Sequence, residues 1–179
     1  MRQSIFAALI LILAVPVSAQ RLNLDFPGLA ERATETVDVT LDAQMLRLAA
    51  KFFSGRDSDE RAMRDVVHRL EGIYVRSYEF ERSGEYDMAL VERVKRQLGP
   101  SWKRMVTVKS KRENVEVYTD LRGESIVGLL VISAEPRELT LVNIVGPIDL
   151  DKLGGLEGQF GIPRLSAKIQ KKAEEKENE

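Results

Sequence analysis

The sequence has no cysteine and only one histidine among its 179 residues. The absence of cysteine excludes disulfides, thiolate metal sites and thiol nucleophiles, so the fold must be held together by its core. The single histidine, His68, cannot form a zinc site without further ligands. We expect it to be an ordinary surface or boundary residue of a helix, because sequence spacing does not show whether a serine and a carboxylate surround it.

A strong excess of one charge and a membrane-spanning run are also missing. The 27 basic and 28 acidic residues give a net charge of −1, which provides no basic surface field for nucleic acid. The apolar run near the N-terminus, Ile5 to Val15, has 11 residues. A helix needs about 20 apolar residues to cross a bilayer, so a permanent anchor is not indicated.

The N-terminus instead has the order of a secretory signal peptide. Arg2 supplies the positive start, Pro16 ends the apolar run, and Val17-Ser18-Ala19 resembles a cleavage site. We predict cleavage near Ala19, which removes nineteen of the 179 residues and leaves 160. The mature protein is then expected in the periplasm or fully secreted, without membrane attachment.

Catalytic and cofactor motifs are absent as well. No P-loop or GxGxxG occurs, and a calcium-loop pattern that begins at Asp149 and Asp151 fails at Leu153 and Phe160. The sequence therefore predicts no cofactor, no metal site and no enzymatic activity. A hydrolase that uses His68 with nearby carboxylates remains open as an alternative.

What the sequence does contain is a regular succession of elements. Three stretches have helical spacing: one capped by Asp42 and ended by Ser54-Gly55, one over 60–71, and one from Met88 to Leu98. The first is predicted to bury one apolar helix face, which consists of Met45, Leu46, Ala49, Phe52 and Phe53. Strand patterns begin at Glu35, cover 73–81 and follow at 104–110, 114–121, 125–133 and 138–145.

The order of these elements predicts an α+β fold. Helices come early and strands late, and the last four strands have short connections. We predict a two-layer sandwich: a mainly antiparallel sheet with a C-terminal four-strand meander, and helices packed on one face. Four regions follow from composition: a signal peptide over 1–19, an irregular lead-in over 20–34, a single domain over 35–155, and a linker with a charged, disordered tail over 156–179.

Two strand patterns, 126–132 and 139–145, are apolar on almost every side chain and so on both faces of the sheet. Three explanations are open. The strands are central, with the far face covered by the lead-in, the final short helix and neighbouring side chains. Alternatively, the far face is a self-association surface, or it forms a groove for a peptide or lipid.

Aromatic side chains in the strand over 73–81 suggest where a partner would bind. Tyr74, Arg76, Tyr78 and Phe80 alternate along this strand, and Tyr118 lies on a nearby one. Tyrosine and arginine are enriched at interfaces, so these five residues form the predicted partner surface. The prediction requires that Tyr78 and Phe80 are not buried beneath the helices.

Two segments carry a resemblance to a known family. Gly123 to Val127 leads into the apolar strand, and the run from Leu141 to Leu150, with Asn143, Gly146 and Asp149, leads into Lys152-Leu153. With the signal peptide and the early helices, the chain resembles the small exported bacterial proteins of the domain of unknown function 4252 family. The resemblance covers roughly residues 22–155. It implies no established activity, cofactor or catalytic residue.

The residues themselves indicate a role for this run. Asn143 interrupts an apolar strand and, if buried, needs hydrogen-bond partners. We expect Gly146-Pro147 to end the strand, and Asp149 or Asp151 to cap the closing helix.

Together these observations predict an exported, non-enzymatic α+β domain of the bacterial cell envelope. We expect it to bind another envelope protein or itself, as a possible homo-oligomer. The alternative is a binder of a small apolar ligand, lipid or peptide, between the sheet and the helices.

Overall fold

The computed structural model describes residues 21–52, 55 and 58–149 of the chain. The strands are β1 (Glu35–Asp42), β2 (Gly72–Glu79), β3 (Trp102–Lys109), β4 (Asn114–Arg122), β5 (Ser125–Glu135) and β6 (Glu138–Ile148). The helices are α1 (Ala43–Ala50), α2 (Ser58–Arg69) and α3 (Ala89–Lys95). The predicted signal peptide, the closing helical turn and the charged tail lie outside the described residues.

The strands form one six-stranded sheet in the order β1-β2-β6-β5-β4-β3, and every neighbouring pair is antiparallel. Strands β3, β4, β5 and β6 are joined in succession by short turns and pair in the same succession. The α+β class and the antiparallel sheet predicted from the sequence are therefore confirmed.

The helices lie on both faces of the sheet, and the prediction that all three pack on one face is wrong. One core cluster contains Leu46 and Ala50 of α1 with Val66 and Val67 of α2. The other contains Val91 and Val94 of α3. Strand side chains alternate between the two clusters. Helical spacing shows that α3 is amphipathic, but it does not show which face of the sheet the helix covers.

The lead-in completes the layer on the α3 face. Residues 21–34 are irregular, as predicted, yet Leu22, Leu24, Phe26 and Leu29 are buried in the same cluster as α3. This finding agrees with the first explanation for the apolar strands as far as the lead-in is concerned, whereas the final short helix lies outside the described residues. Both faces of β5 and β6 are buried because other parts of the same chain cover them.

Asn143 fastens this layer to the sheet. Its side chain is fully buried, accepts a hydrogen bond from the Leu22 amide at 3.0 Å and donates one to the Leu129 carbonyl at 3.2 Å. The expectation that Asn143, once buried, has hydrogen-bond partners is confirmed.

The same strand contacts α2 three residues later. Gly146 has a φ of +125°, and a Cβ there would lie 2.8 Å from the Glu71 nitrogen and 2.9 Å from the Leu70 Cα. The prediction that the strand ends at Gly146-Pro147 is wrong, because the strand continues to Ile148. Residues 146 and 147 lie between the Val145–Gly128 and Ile148–Ile126 pairs, opposite residue 127 alone, which is the geometry of a β-bulge.

Candidate functional site

Helix α1 has apolar side chains on its outer surface as well as in the core. Asp42 caps the helix, with its Oδ1 accepting from the Met45 amide at 2.8 Å. Leu46 and Ala50 point into the core. Met45 and Leu48 are 48% and 50% exposed, and Phe52, just past the helix, is 84% exposed. We call Met45, Leu48 and Phe52 the apolar stripe.

Met45 and Leu48 of the stripe line a groove between α1 and α2 with a volume of about 830 Å³, and Phe52 directly follows the lining residue Lys51. Single exposed apolar residues are common on protein surfaces, but a row of large ones beside a groove is typical of an interaction site. The groove is lined by Gln44, Met45, Arg47, Leu48, Ala50, Lys51, Arg64, Asp65 and His68.

The charges around the groove are mainly positive. Arg47, Lys51 and Arg64 line it and are exposed; we call them the basic rim. Among the described residues of the lining, Asp65 is the acidic one. The chain as a whole has a net charge of −1, so the rim is a local basic patch on a protein without basic excess. Long basic side chains beside apolar ones favour an acidic, partly apolar ligand.

His68 also lines this groove, on the exposed side of α2. Asp65 is its neighbour in the described part of the lining. Among the described residues, no group of three or more His, Asp or Glu side chains is arranged to hold a metal ion. The groove thus combines apolar and charged side chains on an exposed surface.

The sequence did not reveal the groove, since its helical spacing predicted that Met45 and Phe52 belong to the buried face of the helix. A signal was nevertheless present. The segment 45–53 contains so many apolar residues that a single helix face of about 100° cannot bury all of them. The excess apolar residues had to be exposed or covered by something else.

The predicted partner surface lies in the core instead. Tyr74, Arg76, Tyr78, Phe80 and Tyr118 are between 1% and 8% exposed. The lead-in and α3 cover them, and Arg21 stacks on the Tyr74 ring at 4.4 Å. A surface formed by these side chains is not open to a partner, because the chain supplies their contacts itself.

Arg76 illustrates why interface-type residues occur here. Its guanidinium pairs with Asp25 of the lead-in at 2.8 Å and with Asp38 of β1 at 2.6 Å, and it donates to the carbonyls of Val39 and Val75. A buried arginine requires such partners. The residue therefore joins three segments of the same chain.

A second charged cluster lies where α3 meets β4. Glu116 is 3% exposed, and its carboxylate accepts from the Tyr118 hydroxyl at 2.5 Å and pairs with Lys95 at 3.3 Å. Burial alone would raise the pKa of Glu116, but the Tyr118 hydrogen bond and the Lys95 charge outweigh it and lower the pKa. Burial and the bond to Glu116 raise the pKa of Tyr118. The cluster holds α3 on the sheet.

The comparison with protein families identifies a family. The family model described as Domain of unknown function (DUF4252) matches residues 31–156. The chain belongs to the DUF4252 family. No curated protein and no solved structure matches the chain. Membership in DUF4252 confirms the resemblance noted in the sequence and assigns no activity.

The structure explains the run that carried this resemblance. Asn143 bonds to the lead-in on one face of the sheet, and Gly146 allows the end of α2 to approach on the other. In this DUF4252 chain, the run Asn143 to Gly146 therefore joins both covering layers to one strand. A role in packing accounts for it without a ligand.

Proposed function

We propose that this DUF4252 chain is an exported, non-enzymatic protein-binding module of the bacterial envelope, and that its α1–α2 groove takes an acidic amphipathic segment of a partner protein. The observation that carries the proposal is the exposure of the apolar stripe beside the groove. Amphipathic segments bind such grooves by inserting apolar side chains at helical spacing.

The basic rim determines the charge of the partner. Arg47, Lys51 and Arg64 outnumber Asp65 around the groove. An acidic segment gains electrostatic attraction and a faster association, whereas a basic segment is repelled. Acidic residues on the flanks of an apolar helix face fit this arrangement.

Self-association through the groove is less favourable. A two-fold symmetric contact places the same patch of both copies together. The basic rim of one copy would then face the basic rim of the other, and like charges across an interface are costly. The charge of the groove therefore supports a different protein as its ligand.

A small apolar ligand is the second candidate, and the same groove is its best location. A fatty acid or an anionic lipid offers an apolar chain and a negative group, which match the apolar stripe and the basic rim. A short ligand needs an enclosed pocket that buries most of its surface. The 84% exposure of Phe52 favours a larger partner that covers it.

Export follows from the signal-peptide pattern over 1–19. Cleavage near Ala19 would leave every described residue in the mature protein, including Leu22, whose amide bonds to Asn143. Among the described residues, no helix is long and apolar enough to cross a membrane. N-terminal sequencing of the protein from the periplasmic fraction is expected to begin at Gln20.

Binding is tested with a defined probe, a fluorescent peptide of about 18 residues with leucine at helical spacing and glutamate elsewhere. We expect it to bind the mature protein, and we expect the binding to weaken as the salt concentration is raised, because the basic rim is exposed. The same peptide with lysine in place of glutamate is expected to bind at least about tenfold more weakly. Vesicles of phosphatidylglycerol test the lipid alternative.

Two matched pairs of variants locate the binding. Met45→Gln removes part of the apolar stripe, and Met88→Gln is its control, since these methionines are 48% and 44% exposed. Lys51→Glu reverses a rim charge, and Arg137→Glu makes the same charge change at an exposed turn. Only the groove variants should weaken the binding of the acidic peptide, by about fivefold or more. Equal binding of both peptides, or equal effects of the paired variants, would contradict the proposal.

A further inference from the structure

The two edge strands of the sheet carry opposite charges. Strand β1 contains Glu35, Asp38 and Asp42 and no basic residue, whereas β3 contains Lys103, Arg104 and Lys109 and no acidic residue. These charged side chains are exposed. An edge strand has unpaired backbone groups along its outer side, which makes it a template for another strand.

Neither edge is suited to pair with a copy of itself. Two β1 edges would bring acidic residues together, and two β3 edges would bring basic ones together. Strand β1 has no lysine, no proline and an unbroken register with β2, so its acidic side chains are its protection as an edge, and a basic strand would neutralise them.

The directions of the two edges are compatible with each other. Five successive antiparallel pairings separate β1 from β3, so these two strands are antiparallel to each other. A second copy placed beside the first in the same orientation therefore sets its β3 antiparallel to β1. The α1–α2 face of one sheet then continues into the α1–α2 face of the next.

One register of β1 against β3 places opposite charges together on one face of the sheet and apolar side chains together on the other. On the α3 face, Asp38 and Asp42 are four residues apart. Arg104 and Lys109 are also four pairing steps apart, because the bulge between Arg104 and Val106 adds one residue. With Asp42 opposite Arg104 and Asp38 opposite Lys109, the half-buried side chains on the other face also meet. These pairs are Leu41 with Val106 and Val39 with Val108, all four of which pack against the α1–α2 core.

We propose that β1 of one copy pairs with β3 of a second copy in this register, so that the sheet continues head to tail between copies of the chain. The contact uses different surfaces on the two copies, so it forms open chains or closed rings and not two-fold dimers. It leaves the α1–α2 groove available and is independent of the function proposed for that groove.

The absence of native cysteine permits a direct test of the register. In this register Thr40 lies opposite Thr107, so mature Thr40→Cys and Thr107→Cys proteins, mixed under mild oxidation, should form a disulfide-linked dimer that neither forms alone. Thr36→Cys is the control partner, since Thr36 lies on the same face of β1 but about 13 Å farther along it. That offset exceeds the reach of a disulfide. A mixture that forms no more dimer than the single proteins, or a control that cross-links equally, would overturn the proposal.

Sedimentation of cysteine-free protein tests the charges. Arg104→Glu with Lys109→Glu should weaken association at least about tenfold at low salt. Lys111→Glu with Arg137→Glu makes the same change in net charge at exposed turn residues outside both edge strands and should have a much smaller effect. Equal effects of the two double variants, or a wild-type protein that is monomeric at millimolar concentration, would also overturn it.

Discussion

Asn143 lies in the middle of an apolar strand and connects the lead-in to the sheet. Its amide group connects the Leu22 amide to the Leu129 carbonyl in a fully buried site. A buried polar group that loses its partner keeps the cost of its desolvation. Because both partners of its amide group are present, an asparagine is stable at this position in a strand that is otherwise almost entirely apolar.

The substitution Asn143→Leu should destabilise the protein by about 2 kcal/mol, because it removes the acceptor of the Leu22 amide. It should also release the start of the lead-in from the sheet. Urea unfolding measures the first effect, and amide hydrogen exchange at Leu22 measures the second. Asn23→Leu, at an exposed residue of the same segment, should change stability by less than about 1 kcal/mol. A Leu22 amide that stays protected in Asn143→Leu would contradict this role.

Glu116 gives the protein a predictable response to acid. Its pKa is lowered in the folded protein from an ordinary value of 4.5. The stabilisation is therefore complete above the unfolded-state pKa and is lost as pH falls through the lower folded-state pKa. We expect Glu116→Gln to cost about 1–3 kcal/mol at pH 6. The difference should shrink as the pH falls below the unfolded-state pKa towards the lowered folded-state pKa, because the wild-type carboxyl then becomes protonated and resembles glutamine.

Urea unfolding at intervals between about pH 6 and pH 3 checks this expectation. Glu124→Gln is the control, because Glu124 lies in an exposed turn. Its stability should follow that of the wild type at every pH. If Glu116→Gln and the wild type differ by a constant amount over the whole range, the lowered pKa of Glu116 is not a source of stability.

At the scale of elements, the bulge in β6 connects the sheet to α2. Gly146 lies at this bulge with a positive φ, and the backbone of Leu70 and Glu71 packs against its Cα. The Glu71 amide also donates to the Val145 carbonyl at 2.7 Å. The helix end and the strand are therefore in direct backbone contact, which a side chain at 146 would separate.

Two glycine substitutions distinguish the close contact from the strained φ. Gly84→Ala places a Cβ in open space at a φ of +84° and should cost about 1 kcal/mol. Gly146→Ala adds a clash with the Glu71 nitrogen and should cost about 3 kcal/mol or more. Thermal and urea unfolding of both variants give the comparison. Equal losses would show that the contact with α2 is unimportant.

Sequence patterns predicted the order and class of these elements because their periods are local properties. The strands over 114–121 and 125–133, for example, lie within one or two residues of the observed β4 and β5. The face that each helix covers is a long-range property, so α3 could not be placed. The irregular lead-in is a cover of the far face in only one of the three explanations, although its alternation of Leu22, Leu24 and Phe26 is typical of an extended segment with one buried side.

The candidate site was missed for a related reason. Interface-type composition singled out Tyr74 and Tyr78, but such residues also suit a buried layer between segments of one chain. Helix α1 looked like an ordinary core helix because its buried and exposed apolar residues are adjacent in sequence. Only the packing of Leu46 against the core reveals that Met45 and Leu48 point outward.

At the scale of the whole molecule, a sheet that is covered on both faces leaves two kinds of surface for interaction. The groove between α1 and α2 combines the apolar stripe with the basic rim. The sheet edges present complementary charges at opposite ends of the same sheet. We propose that this chain binds a partner through the groove and copies of itself through its edge strands, which are two separate surfaces.

The most direct test of the central claim is to map where the acidic amphipathic peptide binds on the mature protein. In a ¹H–¹⁵N NMR titration, we expect the largest shift changes at the amides of α1 and of Arg64 to His68, with much smaller changes when Met45→Gln protein is titrated. The dissociation constant from this titration should equal the one measured with the fluorescent peptide. Shift changes that centre on α3 or the lead-in, or no change at millimolar peptide, would contradict the assignment of the groove as the binding site.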